Sequence, residues 1–94
     1  MSIHIRILGR VQGVGYRAWA VHTAQALKLT GFVRNRRDGS VEVWADGDIT
    51  ALNAFLDRCH QGPVFARVDE VHPMSHPDAP MPSLDNTFFS SRTV

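Results

Sequence analysis

The order in which the apolar residues change their spacing constrains this chain more than any other feature. Ile3, Ile5 and Ile7 alternate with His4, Arg6 and Leu8, the period-two pattern of a strand with one apolar face. From Tyr16 the spacing lengthens. Tyr16, Ala20, Ala24 and Leu27 fall on one helical face, with good helix formers between them, and Gly31 is the expected stop. A short strand is expected over 32–35, then a turn over 36–39 in which Asp38 and Gly39 supply a positive φ. Val41, Val43 and Ala45 then alternate with Ser40, Glu42 and Trp44 as the partner strand of a hairpin. Ile49, Leu52, Phe55, Leu56 and Cys59 mark a second amphipathic helix, capped by Asp48 and stopped by Gly62 and Pro63. A fourth strand is expected over 65–71, although its alternation slips, with Ala66 and Val68 in phase and Val71 out of it. Residues 72–86 hold four of the five prolines and are expected outside any strand interior. A last, edge-like strand is expected over 87–92.

The resulting order is strand, helix, strand, strand, helix, strand, with one possible extra strand. It predicts an α+β sandwich of the ferredoxin-like β-α-β-β-α-β kind, an antiparallel sheet of four or five strands with two helices on one face. At 94 residues the expectation is one domain, 1–94, with a small core. That architecture serves many activities, so the function has to be argued from a site.

Charge and composition remove several classes. The net charge is +1 with 20% charged residues, which leaves no polybasic arm for nucleic acid and no acidic tail. The start of the chain lacks a signal-peptide pattern, and no run approaches the roughly 18 apolar residues of a membrane span. Cys59 is the only cysteine, so no disulfide forms within the chain, and a reducing, cytoplasmic compartment fits. The expected partner is a small molecule rather than nucleic acid or a membrane.

The stretch Gly9 to Arg17, GRVQGVGYR, lies between a strand and a helix. Gly13 and Gly15 let the backbone approach a ligand closely, and the first amides of the helix point into that space unpaired. Amides and helix dipole together favour an anion, most naturally a phosphate, and Arg17 in the first turn adds a bidentate cation. The alternative is a tight loop with an exposed arginine. Residues 13–18 also fit a relaxed dinucleotide fingerprint with Asp38 twenty residues on, but that acid falls in a hairpin turn rather than at the end of a parallel strand. No Gly-Lys-Ser/Thr follows the glycines, so a nucleoside-triphosphate loop is absent. Asn35 reads first as a turn former. In a sheet with strands one and three at its centre it would also approach the mouth of the Gly9–Arg17 loop. The five histidines, including His72 and His76 on a proline-rich loop, lack the carboxylates and spacing of a metal site. Cys59 reads as a core residue, and no Ser-His-Asp set or carboxylate pair stands out.

GRVQGVGYR, then TGFVRN, DGSVEVWADG and QGPVFARVDEV, closely resembles the acylphosphatase family from about Ile5 to Val71, with two separate motifs in register. The resemblance implies a five-stranded ferredoxin-like sandwich that hydrolyses acyl phosphates to a carboxylate and inorganic phosphate, as a monomer, without a metal or other cofactor. It places the phosphate cradle over Gln12, Gly13, Val14, Gly15, Tyr16 and Arg17. Arg17 stands where the family has its catalytic arginine, and Asn35 where it has its water-holding asparagine. Phe32 stands where the family often has tryptophan. The end of the chain, TFFSSRTV, is only loosely family-like. Three other readings stay open: a carbamoyl-phosphate-hydrolysing module like that of a hydrogenase maturation protein, a non-catalytic phosphate sensor, and an RNA-binding sheet. The expectation that the chain ends at Val94 favours a stand-alone enzyme over such a module. Trp44 alone on the third strand speaks against RNA.

Overall fold

The computed structural model describes residues 1–75 and 80–94, so His76 lies outside the described residues. Along the chain run β1 (Ser2–Arg10), α1 (Tyr16–Ala26), β2 (Thr30–Asn35), β3 (Val41–Asp46), α2 (Ile49–Cys59), β4 (Arg67–Pro73) and β5 (Phe88–Ser90). The strands form one sheet in the order β4-β1-β3-β2-β5. The central strands are β1 and β3, as the ferredoxin-like arrangement implied, and each carries its apolar set to the helices. Ile5 and Ile7, with Val41, Val43 and Ala45, pack on Tyr16, Ala20 and Ala24 of α1 and on Leu52, Phe55 and Cys59 of α2. Full burial of a large apolar side chain stabilises by about 1.5–3 kcal/mol, so this single layer carries most of the fold.

The sheet is mixed rather than antiparallel throughout. β1–β3, β1–β4 and β2–β3 pair antiparallel, but β5 runs parallel to β2, with Gly31 opposite Phe88 and Val33 opposite Ser90. A chain returning from the far edge of the sheet enters at β2's own starting end, which an alternation pattern cannot reveal. β5 is also shorter than the expected 87–92, although the Ser91 N–H still donates to Val33 O at 2.9 Å.

Two further expectations change for local reasons. Gly31 does not stop α1. Lys28 takes the left-handed conformation at φ 59°, and Leu29 N–H donates to Ala24 O and Lys28 N–H to Gln25 O, both at 3.0 Å. That is a Schellman closure, with the buried Leu29 and Ala24 as its apolar contact. Gly31 sits inside β2 at φ 138°, where a Cβ would collide with the Trp44 carbonyl of β3. β4 starts at Arg67 because residues 63–66 close a turn, and it runs on through His72 to Pro73. Proline is tolerated there at the end of an edge strand. The slip in its alternation is a bulge: Leu8 pairs with Glu70 and Gly9 with Val68, leaving Asp69 unopposed. One extra residue reverses the phase, so Val68 and Val71 both reach the core.

Candidate active site

β1 and β2 run in the same direction on either side of β3, so their C-terminal ends open at the same edge of the sheet. Register places Ile7, Val41 and Asn35 in one row across the three strands. Ile7 and Val41 are core residues, and Asn35 is the polar member of that row. Where β1 ends, the chain turns through Gly13, at φ 72°, and Gly15, at φ 85°, into α1. Gly15 is the N-cap residue in left-handed conformation. No side chain caps the helix, and no acidic residue lies in its first turn.

A cavity of about 340 Å³ opens between this loop and β2, lined by Val11, Gly13, Gly15, Tyr16, Arg17, Ala18, Asn35 and Ser90. Five of the residues expected at the site are therefore brought together: Gly13, Gly15, Tyr16, Arg17 and Asn35. Arg17 is exposed and has no ion pair or hydrogen bond among the described residues. The Oδ1 atom of Asn35 is buried and has no hydrogen-bond partner. A buried polar atom without a partner costs free energy that a bound water or ligand would recover. The backbone of Asn35 is pinned, its carbonyl accepting from Val94 N–H at 3.1 Å while Val94 O accepts from Arg37 N–H at 2.7 Å.

Gln12 and Val14 do not reach the cavity wall. Gln12 points its amide at the β2–β3 hairpin and donates to Arg36 O at 2.6 Å and Ser40 O at 2.8 Å. It ties the loop to the strand end that carries Asn35. Val14 packs against the core. Tyr16 lines the cavity and is itself buried. Its hydroxyl donates to Cys59 O at 2.8 Å, and burial, with the neighbouring Cys59, drives the phenol well above its ordinary pKa. Burial likewise pushes the Cys59 thiol up to about 12, which leaves it an inert core group as the sequence suggested.

Sequence reasoning missed Ser90, which joins the cavity only because β5 pairs parallel with β2. It also missed a charge cluster on the face of the sheet away from the helices. Glu42 is fully buried. It accepts from Arg34 Nε at 3.0 Å and Nη2 at 3.2 Å, from Arg36 Nη1 at 2.7 Å, and stands 2.7 Å from His4 Nε2. Burial pushes its carboxyl up, but the hydrogen bonds from Arg34, His4 and Arg36 and the charge of Arg34 outweigh it and hold the pKa below the ordinary value. Arg34 also donates to Pro80 O at 2.7 Å and lies 5.0 Å from the centroid of the Phe32 ring. The hairpin register, with Arg34 opposite Glu42, was the signal for this pairing. Among the described residues, no three His, Cys, Asp or Glu side chains group as metal ligands would.

An uncapped helix start with an arginine in its first turn, beside a carboxamide whose buried oxygen has no partner, places the chain among small α+β domains with an anion-attracting loop at a strand–helix junction. The chain belongs to the acylphosphatase family, whose model matches residues 3–83. It is 51% identical to an acylphosphatase of Rhodospirillum rubrum over 84% of this chain and 89% of that one. It is 55% identical to one of Rhodopseudomonas palustris over 71% and 68%. The crystal structure of acylphosphatase from Bacillus subtilis superposes with a TM-score of 0.78 at 33% identity, covering 96% of this chain and 97% of that one. Full-length HypF in its phosphate- and nucleotide-bound form matches 98% of this chain with 12% of its own length, at TM-score 0.75 and 25% identity.

Proposed function

We propose that this protein is an acylphosphatase that hydrolyses the carboxyl-phosphate bond without a metal, holding the phosphoryl group with the 12–17 loop and Arg17 and positioning water with Asn35. Family membership supports the reaction. The single observation that carries the residue roles is the buried, partnerless Oδ1 of Asn35 in the same cavity as the uncapped start of α1.

In this reading the free amides of the loop and the Arg17 guanidinium take the non-bridging phosphoryl oxygens and stabilise the charge that spreads over them in the transition state. A water donates to Asn35 Oδ1 and attacks phosphorus in line with the bond to the carboxyl oxygen. That bond breaks, its electron pair leaves with the carboxylate, and the water's oxygen and protons remain with inorganic phosphate. A carboxylate leaves readily, because its conjugate acid has a pKa of about 4, close to that of Asp or Glu. No general acid is needed, and positioning replaces a strong base. Gln12 acts as a strut that fixes the distance between the cradle and the strand end holding Asn35. The site comes from one chain, which suits a monomer, and a lone buried cysteine suits the cytoplasm.

The test is benzoyl phosphate hydrolysis by purified protein in excess chelator, followed by loss of the substrate's absorbance. Turnover unaffected by chelator is the expected result. Activity that disappears with chelator and returns with a divalent cation overturns the metal-free reading. Phosphate binding without turnover turns the site into a sensor.

A further inference from the structure

Two of the most exposed large apolar side chains among the described residues are sequence neighbours: Val64 is 93% and Phe65 80% exposed. Scattered apolar residues on a surface are ordinary. This pair is notable for its position. It lies in the turn between α2 and β4, closed by Ala66 N–H donating to Pro63 O at 3.0 Å. Both ends of that turn are fastened to the phosphate loop. Gly62 packs so closely on the Tyr16 ring that a Cβ there would stand 2.8 Å from it, and Tyr16 opens α1 at the cavity. At the other end Arg67 pairs with Arg10, next to Val11 of the cavity wall.

Reaction geometry supplies a direction. In an in-line displacement the attacking water and the leaving carboxylate lie on opposite sides of phosphorus. Asn35 ends β2, two strands to one side of β1, and β4 with its incoming turn lies on the other side of β1. With water held at Asn35 and phosphorus in the loop that rises from β1, the acyl group extends toward β4 and the Val64–Phe65 turn. Arg67 beside the turn pairs with Asp69 at 3.2 Å, and Val64 and Phe65 are the apolar surface offered to the acyl group.

We infer that Val64 and Phe65 in the α2–β4 turn form the acyl-group subsite, the surface on which an apolar acyl group is held. The inference rests on the hydrolase reading above and adds to it the residues that read the acyl group. An aryl group laid on the pair removes apolar surface from water on both partners, whereas an acetyl group is too short to cover it.

The experiment compares benzoyl phosphate with acetyl phosphate for the wild type and for the double variant Val64→Ser/Phe65→Ser. Both side chains are exposed, so the variant is expected to melt with the wild type. The wild type is expected to favour benzoyl phosphate through a lower KM. The double variant is expected to lose about tenfold in kcat/KM for benzoyl phosphate through KM, with kcat kept, and less than about twofold for acetyl phosphate. An unchanged ratio between the two substrates overturns the inference, whether both rates fall together or neither moves, and assigns the pair to something other than the substrate. A wild type that hydrolyses neither overturns the hydrolase reading, and the inference falls with it.

Discussion

α1 and α2 are each 11 residues long and pack under the same sheet, yet their N-termini are built in opposite ways. Asp48 caps α2 from an extended conformation and accepts from Thr50 N–H at 3.1 Å. α1 begins at a left-handed glycine with no side-chain cap, no acid in its first turn, and Arg17, whose charge opposes the helix dipole. For the helix alone the glycine cap costs only a few tenths of a kcal/mol relative to Asp, and the charge of Arg17 against the dipole adds about 0.3–1 kcal/mol. The same contrast recurs across the sheet. Asn35, facing the helices, has a buried oxygen with no partner. Glu42, one residue from Asn35's partner Val41 and facing the other way, has Arg34, Arg36 and His4 around it. Arg6 Nε in β1 is also buried without a hydrogen bond, so an open polar atom does not by itself mark the site. What sets Asn35 apart is that its open oxygen lines a cavity beside an uncapped helix start, the combination that a small anion and a water require.

The contrast is tested most severely inside the open region, where two substitutions should fail differently. In the proposed mechanism Arg17→Ala removes the cation that binds the phosphoryl group, so kcat/KM for benzoyl phosphate should fall by about 10³ or more and inhibition by inorganic phosphate should vanish. In the same mechanism Asn35→Ala removes the partner of the attacking water and leaves the cradle intact. Its kcat should fall by about 10²–10³ while the phosphate inhibition constant stays within about twofold. Both variants should unfold at wild-type denaturant concentrations or slightly above, because each deletes a group the fold leaves unsatisfied. Near-normal turnover in Asn35→Ala, or phosphate inhibition surviving in Arg17→Ala, breaks this division of roles.

Glu42→Gln should do the reverse. Removing the charge leaves the Arg34 and Arg36 guanidiniums without their shared anion, and breaking a buried pair of this kind costs about 3 kcal/mol, read by urea denaturation at pH 7. The sign of its pH dependence is fixed. The folded-state pKa of Glu42 lies below its unfolded value of about 4.3, so between the two the unfolded chain binds more protons and stability rises with pH. The contribution is fully present above the unfolded value and disappears as pH falls through the lowered folded value. The stability gap between wild type and Glu42→Gln should therefore close on acidification below about pH 4. A gap that stays constant down to pH 2 assigns the loss to packing rather than charge.

Much of this architecture was legible in the sequence because it is written in local spacing. The 3-5-7 isoleucines, the helix from Tyr16, the Asp38-Gly39 turn and the Asp48 cap each depend on residues within a few positions of one another. What stayed hidden depends on partners far along the chain. Nothing near Phe88 says that it pairs parallel with Gly31, and nothing near Asp69 says that it is the unopposed residue of a bulge. Lys28 closes α1 because Leu29 finds the core, a tertiary fact that overrides the glycine three residues on. From the residues themselves the loop and Asn35 were readable as a pair only through the sheet order, which brings β2's end to the mouth of the loop; the family resemblance paired them independently. The strut made by Gln12 and the presence of Ser90 required the folded hairpin and the fifth strand.

The smallest expected effect is also the cleanest control on the two helix starts. Asp48→Ala removes a single capping bond at the surface. Replacing such a cap costs about 1 kcal/mol, which for a domain of this size lowers Tm by roughly 4–8 °C. The cap serves only α2, and the α2 face that meets the sheet is set by Leu52, Phe55 and Cys59, all buried. Tyr16 bonds to the opposite end of α2, at the Cys59 carbonyl, so fraying of the first turn should not reach the cavity. Thermal melts should shift while kcat/KM for benzoyl phosphate stays at the wild-type value. Loss of activity in proportion to stability would mean that the two helix starts are energetically coupled through α2. The open end of α1 would then be part of the scaffold rather than a region the scaffold holds free.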